Sequence, residues 1–215
     1  MREFSPPGSR GMIRSLQIDG LALERGGRRL FSGLSLEMSA GEAVALTGAN
    51  GSGKTSLLRA IAGFLRPAAG TIGFAGAEDR LDAEEARRHG LHLVGHQDGL
   101  KLNRPALKEL EFQCRWTGAG PGAAARALEV VGLSRVANLD VRLLSAGQKR
   151  RLSLARLVAS ARPLWLLDEP FAPLDAASRE LFGRLMGGHL ASGGLVLAAV
   201  HDPLPIPARA LEIAA

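Results

Sequence analysis

Apolar residues fall along this chain in more than one rhythm. Over Ser15 to Leu23, Arg29 to Met38 and Glu42 to Thr47 they alternate and then run on, with Gly-containing turns between, which predicts three strands. Helical spacing follows, because Leu57, Leu58, Ile61 and Ala62 share one face until Gly63 and Pro67 stop the helix. Strand character returns at Thr71 to Phe74 and Leu91 to Gly95. Residues 105 to 143 differ: Leu107, Leu110 and Phe112, then Ala123 to Val131, read as short helices joined by a turn containing Gly118, Gly120, Pro121 and Gly122. Ser145 opens an amphipathic helix with Leu154, Leu157, Val158 and Ala161 on one face and Lys149, Arg156 and Ser160 on the other. Leu164 to Asp168 and Leu195 to Val200 are apolar runs of buried-strand length, Ala176 to Leu190 between them is helical, and Leu211 to Ile213 is a last short strand. Alternating strands and helices, with strands apolar throughout, predict an α/β fold whose largely parallel sheet is covered on both faces.

Composition narrows the class. A chain of 215 residues, 46% hydrophobic and 22% charged, has the make-up of one sizeable globular domain. Its formal charge is +6, almost all from arginine, since lysine occurs only at positions 54, 101, 108 and 149. That charge suits a nucleic acid, an anionic bilayer, nucleotide phosphates, or simply a solvated basic surface. Cys114 is the single cysteine, so no intrachain disulfide forms, and a cytosolic setting fits best. No apolar run approaches the roughly 20 residues that span a bilayer. Residues 1–11 are polar and turn-rich, without the apolar core of a signal peptide, and read as a flexible tail before a domain over 12–215.

Chemistry concentrates where the predicted strands end. Gly48-Ala49-Asn50-Gly51-Ser52-Gly53-Lys54-Thr55, followed by Ser56, lies between a strand and a helix, as a phosphate-cradling loop requires. Its glycines let backbone N–H groups and the helix N-terminus face phosphate oxygens, Lys54 adds a charge for the β- and γ-phosphates, and the Thr55 hydroxyl is a suitable Mg²⁺ ligand. Asp168 ends an apolar strand, the place for a carboxylate that holds Mg²⁺, and Glu169 beside it is the candidate general base. A turn capped by the two acids before Pro170 is the plainer alternative. Gln97, just past Leu91 to Gly95, offers a carbonyl to Mg²⁺ or to an attacking water, and His201 can donate to the γ-phosphate, although each alone also reads as a solvated loop residue. His89, His92, His96 and His189 show no metal-ligand pattern and receive no role.

These motifs, with Leu144-Ser145-Ala146-Gly147-Gln148 and Leu174-Asp175, occur in an order that resembles the ATP-binding subunit of ABC transporters from Met12 onward. The resemblance implies a P-loop NTPase with an antiparallel β subdomain and a helical subdomain over about residues 99–160. It implies ATP and Mg²⁺ as cofactors, the metal held by Thr55, Asp168 and Gln97. A homodimer in the closed state would sandwich ATP so that Ser145, Gly147 and Gln148 of one copy meet the γ-phosphate held by Lys54 of the other. Counting back from Gly48 places Arg25 where many such chains stack an aromatic residue on adenine.

The finer pattern is similar to the ATPase subunits of cytochrome c maturation systems of the haem-export type. Glu24-Arg25, then Arg29-Leu30-Phe31-Ser32-Gly33-Leu34-Ser35, Gly95-His96-Gln97-Asp98-Gly99-Leu100-Lys101, Leu144-Ser145-Ala146-Gly147-Gln148, Asp168-Glu169-Pro170-Phe171 and His201-Asp202-Pro203-Leu204 carry it. Pro105 and Lys108-Glu109 stand where the usual Thr and Glu-Asn follow. An integral membrane subunit is the implied partner, at the cytoplasmic face of the inner membrane. The motor of a different ABC transporter is one alternative, and a soluble ABC ATPase acting on nucleic acid is the rival from another class. Such proteins usually carry two cassettes or a long coiled-coil insertion, this chain has one cassette and no sustained heptads, and no nucleic acid partner is expected.

Overall fold

The protein is described from a computed structural model covering residues 12–214. The predicted tail over residues 1–11 lies outside the described residues. An antiparallel sheet is ordered β2-β1-β4-β5, from β1 (Ser15–Arg25), β2 (Arg28–Ser39), β4 (Ala69–Ala75) and β5 (Arg80–Leu81). A parallel sheet is ordered β6-β7-β8-β3-β9, from β3 (Ala43–Thr47), β6 (Leu91–Val94), β7 (Leu164–Asp168), β8 (Leu195–Ala199) and β9 (Arg209–Glu212). Six α-helices complete the described chain: α1 (Lys54–Ile61), α2 (Ala83–Gly90), α3 (Ala106–Thr117), α4 (Ala123–Val130), α5 (Ala146–Ala159) and α6 (Ala176–Ala191). None of them is long and apolar enough to cross a membrane.

Continuous apolar strands arise because the parallel sheet has no wet face. Leu164 and Leu166 of β7 join Val44, Leu46, Leu195 and Leu197 on the side packed against α1, α2 and the antiparallel sheet. Trp165 and Leu167 alternate to the other side, with Ala43, Ala45, Val196 and Ala198, and meet Leu110, Leu128, Leu154 and Phe182 of the helices. Both faces being covered, period-two alternation survives in space but not in polarity. Leu166 is fully buried, and truncating such a side chain to Ala costs about 2–5 kcal/mol.

Register brings the strand ends level. Leu46 pairs with Ala199, Ala199 with Asp168, and Val94 with Leu167, so four carboxyl termini open onto one rim. This is where ligands bind in open parallel sheets.

Two parts of the fold depart from the pattern reading. Strand β5 and helix α2 fill a stretch assigned no structure, although Asp82 caps α2 by accepting from the Glu85 N–H at 2.9 Å, a signal visible as Asp-x-x-Glu. Helix α5 does not have a solvent face through Arg156 and Ser160. Ser160, at its C-terminal cap, is buried and donates to the Thr117 carbonyl, and the part-buried Arg156 donates to the Leu93 carbonyl, because α3, α4 and β6 all close on this helix. Burial first, then the neighbouring Arg150, lowers the Arg156 guanidinium to about 10. Ala161 lies beyond the helix end.

Candidate functional site

Chain direction reverses sharply between β3 and α1, and two glycines make that possible. Gly48 has φ 125, and a Cβ there would lie 2.5 Å from the Ile213 carbonyl oxygen; Gly53 has φ 108 and the Phe31 ring 2.9 Å from the same position. Any side chain would be strained and blocked. Lys54 begins α1, is 7% exposed, and donates from Nζ to the carbonyls of Gly48 at 2.6 Å and Ala49 at 3.0 Å. The loop thus holds an ammonium ion against its own backbone. Ser52 Oγ is buried with no protein partner, and the first turn of α1 carries no acidic residue to offset its positive end. Ala49, Asn50 and Gly51 are exposed at the crest, whereas Ser56 is buried in the first turn of α1.

The rim joins these groups to segments far away in sequence. Thr55 Oγ1 donates to the Asp168 carboxylate, 3.0 Å from each oxygen, and Asp168 is 4% exposed at the end of β7. Glu169 follows with φ 47, the one non-glycine among the described residues in the left-handed region. Its carboxylate is straddled: His201 Nε2 donates to Oε1 at 3.1 Å, and His96 Nδ1 lies 3.3 Å from Oε2. His201 sits two residues past β8, as the sequence places it, but His96 is a residue to which the pattern reading gave no role. Gln97, next to it, is exposed three residues beyond β6. Adjacency to Gln97 at a strand end was the available signal for His96.

Arg150 was also missed. It is 1% exposed, and its guanidinium donates from Nε to Pro170 O at 2.9 Å, from Nη1 to Gly95 O at 2.9 Å and Asp98 Oδ1 at 3.1 Å, and from Nη2 to Asp168 O at 2.9 Å and Glu169 O at 2.8 Å. The sequence did hold a hint: Arg150, Leu154 and Leu157 stand at helical spacing, a cation on an apolar face.

Ser145 and Gln148 cap α5 reciprocally. Gln148 N–H donates to Ser145 Oγ at 3.2 Å, and Ser145 N–H to Gln148 Oε1 at 2.9 Å. Ser145 and Ala146 are exposed and Gly147 half-buried, so the tip of this helix faces outward. Asp175 caps α6 in the same manner, accepting from the Ser178 N–H at 2.8 Å, and the hydrogen bonds to Ser178 hold its carboxyl below the usual range. Arg25 is exposed at the tip of the β1–β2 hairpin, opposite Arg28 across the Gly26-Gly27 turn; Leu30 and Phe31 of β2 reach Gly53.

The rim gathers a cationic glycine loop, a hydroxyl–carboxylate pair and a carboxylate flanked by two imidazoles, one of them hydrogen-bonded to it. The family model described as ABC transporter matches residues 31–172. The chain is 52% identical over 197 residues to the "Cytochrome c biogenesis ATP-binding export protein CcmA" of Rhodopseudomonas palustris (strain BisB5), covering 91% of this chain and 96% of that one. It is 41% identical over 193 residues to the protein of the same name from Agrobacterium fabrum, covering 88% and 90%. A putative ABC transporter ATP-binding protein from Pyrococcus furiosus shares the fold, with TM-score 0.77 and 19% identity over 93% of this chain and 97% of that one. The ATP-binding cassette MJ0796, solved as a dimer in a post-hydrolysis state bound to ADP and Pi, aligns with TM-score 0.72 and 25% identity over 87% and 88%. The chain belongs to the ABC transporter family of nucleotide-binding ATPases and, within it, to the cytochrome c biogenesis ATP-binding export proteins.

Proposed function

We propose that this chain is the ATP-hydrolysing subunit of a haem-export-type complex of cytochrome c biogenesis, paired with a second copy and docked on an integral membrane subunit at the cytoplasmic face of the inner membrane. The observation that carries the reading is the level rim of the parallel sheet, where Lys54, Thr55 with Asp168, and Glu169 with His201 stand together. The shared name of the relatives, whose length the chain almost spans, supplies the system.

In this reading the backbone of Gly48 to Gly53 and the start of α1 take the triphosphate, with Ser52, Thr55 and Ser56 adding hydroxyls. Lys54 exchanges the Gly48 and Ala49 carbonyls for phosphate oxygens, which suits a buried ammonium ion held only by neutral acceptors. The hydroxyl of Thr55 and the carboxylate of Asp168, already in contact, would hold Mg²⁺ through oxygen donors, with the side-chain carbonyl of Gln97 as a third donor from the loop after β6. When bound there, the metal would supply charge neutralisation for the phosphate oxygens. Glu169 orients a water and accepts its proton, and His201 steadies that carboxylate or donates to the γ-phosphate. Arg25 stacks on the purine. Ser145 at the exposed tip of α5, with the half-buried Gly147 and Gln148 beside it, completes the site of the second copy, and the related cassette MJ0796 was solved as a dimer.

Co-expression with the membrane subunits encoded in the same host tests the assignment. The chain is expected to copurify with a detergent-solubilised integral subunit, and its ATP hydrolysis to rise in that complex. A chain that hydrolyses ATP yet binds no membrane subunit of the cytochrome c system would sink the reading.

A further inference from the structure

We propose that Arg150 is the positioning residue for the catalytic carboxylate: it holds Glu169 in its left-handed conformation and fixes the segment carrying His96 and Gln97 against it. The inference rests on the reading of Glu169 as general base and extends it to a residue on a different helix.

A guanidinium has five N–H donors in a rigid planar fork, and all five are used here inside the protein. Three go to the carbonyls of Asp168, Glu169 and Pro170, which are consecutive in the chain. Successive carbonyls of an extended segment point to opposite sides. Three can converge on one group only where the backbone bends back, and the bend is made at Glu169, φ 47, a conformation that non-glycine residues rarely adopt. The guanidinium and the bend therefore belong together. The two remaining donors hold Gly95 O and Asp98 Oδ1, on either side of His96 and Gln97. Their consequence is visible at the carboxylate, where His96 Nδ1 stands 3.3 Å from Glu169 Oε2.

Arg150 also sits five residues beyond Ser145, the cap of the same helix. Helix α5 thus carries both an exposed cap and the guanidinium that meets the Glu169 turn.

Arg150→Lys and Asp98→Asn in the full chain test this. Lysine keeps the charge but has three donors and no planar fork, whereas Asp98→Asn weakens a single one of the five bonds. Arg150→Lys is expected to bind a fluorescent ATP analogue within about two-fold of the unaltered chain and to form the ATP-dependent dimer in a Glu169→Gln background. Its kcat is expected to fall about 10- to 100-fold with KM little changed, the scale of a catalytic group displaced by about 1 Å. An unchanged kcat overturns the proposal, as does a parallel loss of nucleotide affinity, dimerisation and melting temperature, which marks a merely structural role. Should Arg150→Lys fail to fold, Asp98→Asn decides: a several-fold lower kcat at unchanged affinity supports the proposal, and an unchanged kcat overturns it. Hydrolysis at the normal rate by Glu169→Gln alone would instead strike the base assignment itself.

Discussion

Thr55 and Asp168, 113 residues apart, are joined by a hydroxyl that lies 3.0 Å from both oxygens of one carboxylate. In the proposed function these two side chains would hold Mg²⁺, with the Thr55 hydroxyl and the Asp168 carboxylate as oxygen donors. Asp168→Asn is expected to lower Mg²⁺-dependent ATP hydrolysis by about 100-fold or more while ATP binding in the presence of EDTA is retained. Thr55→Ser keeps the hydroxyl and should stay within a few-fold. Titrating hydrolysis against Mg²⁺ checks both, and an Asp168→Asn chain with an unaltered Mg²⁺ dependence would refute the pairing.

The proposed function gives Glu169 the chemistry and Ser145 the assembly, and the two roles separate by mutation. Glu169→Gln should bind ATP normally, turn over about 10² to 10⁴ times more slowly, and accumulate as an ATP-loaded dimer. Adding Ser145→Arg to that chain places a long cation at the exposed tip of α5 and is expected to abolish the dimer without weakening nucleotide binding to the monomer. Light scattering with and without ATP gives the answer; a double variant that still dimerises removes Ser145 from the interface.

Acid should weaken the fold through His92. Its Nε2 donates to the Ser160 carbonyl at 2.8 Å, and burial, with Arg162 and Arg156 nearby, pushes the imidazole down to about 3 from 6.5. The unfolded chain binds this proton below about 6.5 and the folded chain does not, so the stabilisation is complete above that pH and is lost as pH falls toward 3, with a limiting slope of about 1.4 kcal/mol per unit. His92→Gln retains a donor and cannot titrate. Urea unfolding at pH 7.5 and 5.5 is expected to show a smaller loss of midpoint for the variant, and equal losses would refute the assignment. His189, also lowered by burial, leaves some dependence in both chains.

Arg25 reads a ring face rather than base edges in the proposed site, so ATP and GTP should bind with little discrimination. Arg25→Ala is expected to weaken both by several-fold, in keeping with a cation–π contact of about 0.5–2 kcal/mol. The chain has no tyrosine to substitute for it. Unchanged affinities for both nucleotides would return Arg25 to the solvated hairpin tip.

Most of the scaffold was legible because its signals are local. Runs such as Leu164 to Asp168 and the turn glycines before Lys54 carry their own periodicity and backbone demands, and they fix which residues end at the rim. What the pattern missed depends on tertiary neighbours. Arg156 and Ser160 read as a polar face of α5 until β6 and α3 close over them. Arg150 reads as one more surface arginine in a basic chain until five acceptors from two other segments surround it. His96 gains meaning only when β6 and β7 lie in register and bring it beside Glu169. The short α2 was within reach, since Asp82 and Glu85 have capping spacing, but its apolar stripe is too thin to stand out.

A sheet with both faces packed leaves the chain little freedom to drift. Every residue of β7 from Leu164 to Asp168 is at most 5% exposed, and β8 is equally enclosed, so neither strand offers a position at which a polar exchange is silent. Tolerated variety must collect on the outside, at exposed cations such as Arg80, Arg88 and Arg184 and at the hairpin tip around Gly26. Two such chains can therefore differ widely in surface charge, and so in what they dock against, while presenting the same rim of reactive groups at the same spacing.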